Sequence, residues 1–260
     1  WGAVLRLRGE IQSNIVTVAI SLVIGVYTIE GVAPLFQGKR ILSERIAAAS
    51  KLGIEFDERT ILEVTKDLIA EGVDAVPHGS NLRLGRSVAI KPELLMPLSG
   101  VSNKTIVITN ESGQYATYKS DRYGFNNPDD QWDLPKIEWL LTGDSFTEGA
   151  SVQPGEEIAG QIRSITKSPA ISIGISGNGP LLELAALKEY GPSLHSKKVL
   201  WIYFEGNDFI ELEREKKLPK LMQYLQDDFS QNLINRQKEI DHILLKYIKI
   251  QKMMNKALFH

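Results

Sequence analysis

The chain has 260 residues, 43% of them apolar and 24% charged, a composition that supports a buried core and argues against wholesale disorder. Lys and Arg total 30 against 32 for Asp and Glu, a formal net charge of -2, so no nucleic-acid partner is expected. Cysteine is absent, which excludes disulfides, cysteine nucleophiles and thiolate metal sites. A chain of this length predicts one large domain or two small ones.

Residues 15–27, IVTVAISLVIGVY, carry no charge, and the stretch runs on to residue 36 with only Glu30 charged. Arg6 and Arg8 precede it, partly offset by Glu10. A helix over this stretch would span ~33 Å, close to the hydrocarbon thickness of a bilayer. Residues 1–37 are therefore expected to form a basic flank and a membrane-anchoring hydrophobic helix. The flank would stay cytoplasmic, which places the rest of the chain in the periplasm or at the cell surface. The alternatives are a buried element of a cytoplasmic protein, or a signal segment. Glu30 would be costly deep in lipid.

Residues 38–133 read as a small appended α+β segment. ILSERIAAASKLG places Ile41, Ile46, Ala49 and Leu52 on one helical face, and Asp57 is a candidate cap or first-turn acid for a second helix. Ile61, Leu62, Val64, Leu68 and Ile69 form the apolar face of that helix, and Gly72 can end it. The following VDAVPHG reads as a loop. KTIVIT (104–109) and QYATYKS (114–120) flank Asn110-Glu111-Ser112-Gly113, the pattern of a hairpin. DRYGFNNPDDQW (121–132) is dense in turn formers, with aromatics that can pack it onto a neighbouring domain. The Asn103-Lys104-Thr105 sequon is too common by chance to carry weight.

From residue 134 onward three apolar runs alternate with helical stretches. Ile137–Leu141 ends at Thr142-Gly143-Asp144-Ser145, and GEEIAGQIRSIT (155–166) follows as a helix. AISIGIS (170–176) ends at Gly177-Asn178-Gly179-Pro180, before a helix from Leu181 to Tyr190 that Pro180 suits at its first turn. KKVLWIYFEGND (197–208) is the third run, again ending in small and polar residues. Such a pattern predicts a parallel α/β sheet with its working edge at the C-terminal ends of the strands. At that edge Ser145 offers a hydroxyl nucleophile. Its own N–H, the N–H of Gly177 and the side-chain amide of Asn207 offer convergent donors for an oxyanion. Asp144 and Asp208 are expected to organise their loops.

GDSFTEG (143–149), SIGISGNG (172–179) and FEGND (204–208), in this order, resemble the signature blocks of the SGNH/GDSL hydrolase family. YGFNNPDD (123–130) resembles the lead-in found in bacterial, often membrane-anchored members. The resemblance implies a flavodoxin-like three-layer α/β/α sandwich. It makes Ser145 the nucleophile, Gly177 (with Gly174 as the weaker match) the oxyanion-hole glycine and Asn207 the oxyanion-hole asparagine. It also implies hydrolysis of an O-acyl ester, on a small molecule or a cell-surface or secreted polysaccharide, with no metal or organic cofactor. O-acyl transfer between carbohydrates is one alternative, and a non-catalytic binding or assembly module is another.

The family's closing block, Asp-x-x-His, supplies the base. The chain has four histidines, His78, His195, His242 and His260, and none has an aspartate three residues before it. His78 precedes the hydrolase-like domain (134–260), His195 lies in a loop, and His242 falls in the helical extension 210–260. There Ile240, Ile243, Leu244, Tyr247 and Ile248 line an apolar face. Since the chain also begins with Trp1, it is expected to be a fragment cut before the last strands; a divergent, incomplete relative is the alternative.

Overall fold

In the computed structural model the chain divides into two compact units, Trp1–Phe56 and Asp57–His260. The structure describes residues 17, 18 and 21, 41–79 and 95–258, the last eight of these by backbone alone. The first unit contains a helix, α1, over 41–51; of its expected apolar face Ala49 is buried, whereas Ile41 and Leu52 are exposed. The expected hydrophobic helix of residues 15–36 lies outside the described residues apart from residues 17, 18 and 21. Among the described residues no helix is long and apolar enough to cross a membrane.

The second unit opens with α2 (Ile61–Ala70). Its cap is Thr60 rather than Asp57. Thr60 Oγ1 accepts from the Glu63 N–H at 3.3 Å, and Glu63 Oε2 accepts from the Thr60 N–H at 2.7 Å, a reciprocal arrangement that satisfies exposed donors at the helix start. Asp57 instead pairs with Arg59 at 2.7 Å, and hydrogen bonds from that guanidinium hold its carboxyl below the ordinary value.

The stretch expected as a loop after α2 contains a strand, β1 (Ala75–Pro77). It runs parallel to β2 (Thr105–Val107), and β2 pairs antiparallel with β3 (Thr117–Lys119), so the expected hairpin forms with Ile106 opposite Tyr118. Pro77 is tolerated because β1 is an edge strand and Pro77 is its last residue.

The turn-rich segment at 121–132 is bolted to the second sheet. Phe125 is fully buried and meets the Tyr190 ring edge-on at 5.0 Å, while Tyr123 meets Trp132 at 4.5 Å. Asn127 Nδ2 donates to the Ser172 carbonyl and Asn127 Oδ1 accepts from the Ser172 N–H, both at 2.8 Å. The side chain thus serves as a one-residue strand partner.

The second sheet consists of β4 (Trp139–Gly143), β5 (Ala170–Ser172) and β6 (Lys198–Ile202), all parallel, in the order β5-β4-β6. β5 ends earlier than its apolar run, although ladder bonds continue from Ile173 N–H to Leu141 O and from Ile175 N–H to Gly143 O. A short helix, α3 (Ser145–Glu148), follows β4, then α4 (Ile158–Thr166), and α5 (Pro180–Tyr190) follows β5. Successive residues of β4 face opposite ways. Leu140 joins Leu182, Ala185 and Ala186 of α5, whereas Leu141 joins Ala159 of α4 and Ala170. Helices therefore pack on both faces of β4, whereas the edge strand β6 leaves Val199 and Trp201 about half exposed.

The expected helical extension is interrupted. α6 (Asp208–Glu215) begins directly after β6, α7 (Pro219–Gln223) is short, and α8 (Gln237–Leu258) is long. Between α7 and α8 the chain loops around the buried Glu189 carboxylate, which accepts from the Tyr224 hydroxyl at 2.6 Å and the Leu233 N–H at 2.8 Å. The apolar face of α8 is the expected one: Ile240, Leu244 and Ile248 are buried, with Ile243 and Tyr247 packed beside them. Val76, Ile106 and Phe125 belong to the same core as Leu140, Leu182 and Leu244, so residues on both sides of position 134 fold around one interior.

Candidate active site

The three strand exits leave one edge of the β5-β4-β6 sheet, and each places a residue singled out by the sequence. Gly143 closes β4. A Cβ there would lie 2.1 Å from Thr147 Oγ1 and 2.8 Å from the Ile202 carbonyl, so only glycine lets α3 fold back against the strand end. Asp144 then caps α3, its Oδ1 accepting from the Phe146 N–H at 3.0 Å. Ser145 is the first residue of α3, and its Oγ lies 3.4 Å from Asp144 Oδ2.

A cleft of about 490 Å³ opens beside α3, lined by Ser145, Phe146, Val152, Ile158 and Ser176 among others. Phe146 and Val152 give it partly exposed apolar walls. Ser176 immediately precedes Gly177, whose φ of 80° lies in the left-handed region that favours glycine. Gly174, the weaker match, is committed elsewhere. Its N–H donates to Ser172 Oγ at 3.3 Å, and a Cβ there would meet Thr147 Cβ at 2.5 Å.

Asn207 stands on the other side of Ser145. Register pairs Gly143 with Ile202, and the Phe146 and Phe204 rings meet at 4.8 Å, which brings the β6 exit next to α3. Asn207 immediately precedes α6, and its Oδ1 is buried with no hydrogen-bond partner. It is not among the residues lining the cleft. Asp208 organises its loop as expected, Oδ2 accepting from the Phe204 N–H at 2.6 Å. The structure thus sets Ser145 and Ser176 on one cleft, whereas Gly177, the next residue, and Asn207, on the adjoining strand exit, are not among its lining residues.

One histidine departs from its expected place. His78, at the end of β1, reaches beneath α3 and pairs with Glu148, Nε2 to Oε1 at 3.2 Å. Glu148 is fully buried and also accepts from the Tyr118 hydroxyl at 2.9 Å and from the Ser176 N–H at 2.6 Å, while the Ser176 hydroxyl donates to the same Oε2. Burial would raise the Glu148 pKa, but the charge and hydrogen bond of His78, with the bonds from Ser176, hold it below its ordinary value. Burial acts to depress His78, and the charge and hydrogen bond of Glu148 together outweigh it, so the imidazole is held above its ordinary value. No motif marks this group, because His78 and Glu148 lie 70 positions apart and meet only in the tertiary fold.

His195 is exposed in the turn before β6, at the opposite edge of the sheet, and His242 is exposed on α8. His260 lies outside the described residues. On the Asn207 side the titratable groups are carboxylates. Burial pushes Glu183 up to about 8 against a hydrogen bond from Trp201, and Glu215 up to about 7 against bonds from the Gly179, Leu181 and Leu182 N–H groups. Burial likewise raises Asp208. Among the described residues no group of acidic, histidine or cysteine side chains has the arrangement of a metal site. Comparison with protein-family models, curated proteins and solved structures finds no match to this chain.

Proposed function

We propose that the chain is a serine esterase of SGNH type, its three-stranded parallel sheet being part of a flavodoxin-like three-layer sandwich. The observation that carries this reading is Ser145 at a cleft that Ser176, the residue before Gly177, also lines, with Asn207 on the next strand exit. Ser145 Oγ attacks the ester carbonyl carbon and gives up its proton to a base. The N–H groups of Ser145 and Gly177 and the amide of Asn207 stabilise the tetrahedral oxyanion. The alcohol leaves with a proton, and water then releases the acyl group from Ser145. The walls formed by Phe146 and Val152 suit a small acyl group. A carbohydrate O-acyl ester as substrate, and an anchored, extracytoplasmic location, rest on the sequence resemblance and on residues 15–36.

Among the described residues the side-chain partner of Ser145 Oγ is Asp144 and not a histidine, an observation that favours a second reading: a binding or assembly module that uses the cleft without chemistry. Labelling with a fluorophosphonate probe separates the two. The esterase reading expects covalent labelling that Ser145→Ala abolishes. A folded full-length protein that stays unlabelled leaves the binding module.

A further inference from the structure

We infer that Glu148 is a positioning residue: it locks the loop that presents the Gly177 N–H to the helix that carries Ser145. The inference rests on the esterase reading and extends it to a residue that no motif marks as functional. Two of the proposed oxyanion donors come from separate chain segments, α3 and the loop after β5, and their relative placement decides whether they converge. Near β5 that placement is set by Ser172 Oγ donating to the Thr147 carbonyl at 2.8 Å and by the close approach of Gly174 to Thr147. Further out, the loop reverses at Gly177, with Asn178 N–H bonding back to the Ile175 carbonyl. There the hold is Glu148, which takes both the N–H and the hydroxyl of Ser176 on one oxygen. The Gly177 N–H belongs to the peptide that leaves Ser176. Fixing Ser176 at two points therefore fixes the direction of that donor.

The other carboxylate oxygen is what makes the lock charged. Tyr118 and His78 both approach Oε1, and the imidazole supplies the cation that a buried carboxylate needs to stay ionised. An ionised carboxylate accepts on both oxygens, whereas a neutral acid or amide would have to donate at one of them. Glu148 next to Ser176 could alternatively be read as a serine and its base. Its depressed pKa argues against proton abstraction and for a fixed acceptor.

The experiment compares Glu148→Gln, Ser176→Ala and Tyr118→Phe with the parent chain. It reads the maximal labelling rate and the probe affinity separately, together with the amide resonances of Ser176 and Gly177. Glu148→Gln is expected to lower the maximal rate about ten- to a hundredfold with little change in probe affinity, since a displaced donor acts on the transition state. It should also shift both amide resonances. Ser176→Ala keeps the N–H bond and should lose only a few-fold. Tyr118→Phe leaves both Ser176 bonds in place and should keep the parent rate, even where it lowers stability. An equal loss of rate in Tyr118→Phe and Glu148→Gln would reduce Glu148 to a structural group and overturn the inference. Should the full-length parent protein fail to label, the esterase reading falls; unmoved Ser176 and Gly177 resonances in a folded Glu148→Gln chain would overturn the lock by itself.

Discussion

Two groups of buried carboxylates flank α3, and they have opposite electrostatic characters. On the cleft side Glu148 has His78, Tyr118 and Ser176 as partners and is held ionised. On the Asn207 side Glu183, Asp208 and Glu215 have donors but no cation, and burial raises all of them. That side also holds buried side-chain atoms without partners: Glu183 Oε1, Asp208 Oδ1, Glu211 Oε2 and Asn207 Oδ1. Asp121 falls between the two. The Asn127 and Trp132 side chains and the Tyr123 and Phe125 N–H groups all donate to it, yet burial without a cation still lifts it to about 6. Donors alone moderate the cost of burying a carboxylate; a cation reverses its sign.

The contrast breaks most sharply at the cation. His78→Phe would leave Glu148 buried without its counter-charge, and a loss of about 3–5 kcal/mol is expected by denaturant unfolding at neutral pH. A loss below about 1 kcal/mol would mean that the donors suffice.

Titration is expected to separate the two sides next. Glu148 lies below its ordinary value of 4.5, so its contribution is present above that value and fades as pH falls through the lowered one. His78 lies above 6.5, so its contribution is full below that value and fades as pH rises through the raised one. Glu183, raised from 4.5 to about 8, favours the folded state only while protonated, and so costs stability as pH climbs between those values. Glu183→Gln should therefore gain about 1–3 kcal/mol at pH 9 relative to the parent and show little difference at pH 4, measured by unfolding at both. An equal effect at both pH values would remove ionisation as the cause.

The smallest expected effect concerns Asn178, which is fully buried with neither side-chain atom bonded. Asn178→Leu exchanges an unsatisfied amide for an apolar group of similar size. Thermal unfolding should find it neutral or stabilising by up to about 1 kcal/mol. A clear loss would show that the amide has a partner in solution.

The β5-β4-β6 half of the fold was legible from residues because its signals are local. An apolar run stopping at Gly143, a proline at the start of α5 and the face formed by Ile240, Leu244 and Ile248 each need only a few neighbouring positions. The α2 cap was misread from equally local information: Asp57 and Thr60 are both good cap residues, but Thr60 stands next to Ile61 and exchanges bonds with Glu63, while Asp57 pairs with Arg59. β1 was illegible for another reason. Three residues ending in Pro77 carry no strand signal, and the strand exists because β2, 30 positions on, pairs with it. The candidate site divides in the same way. Ser145, Gly177 and Asn207 were visible at strand ends, while the His78–Glu148 pair required the tertiary fold.

The reach of His78 under α3 also bears on modularity. The segments that resemble hydrolase signature blocks begin at Gly143, and they invite the view of a portable unit with a dispensable prelude. Excising that unit at position 134 would remove the counter-charge of Glu148, the Tyr118 hydroxyl and the Asn127 clamp on β5 together. A graft of this serine centre onto another scaffold would have to bring β1 and its histidine along.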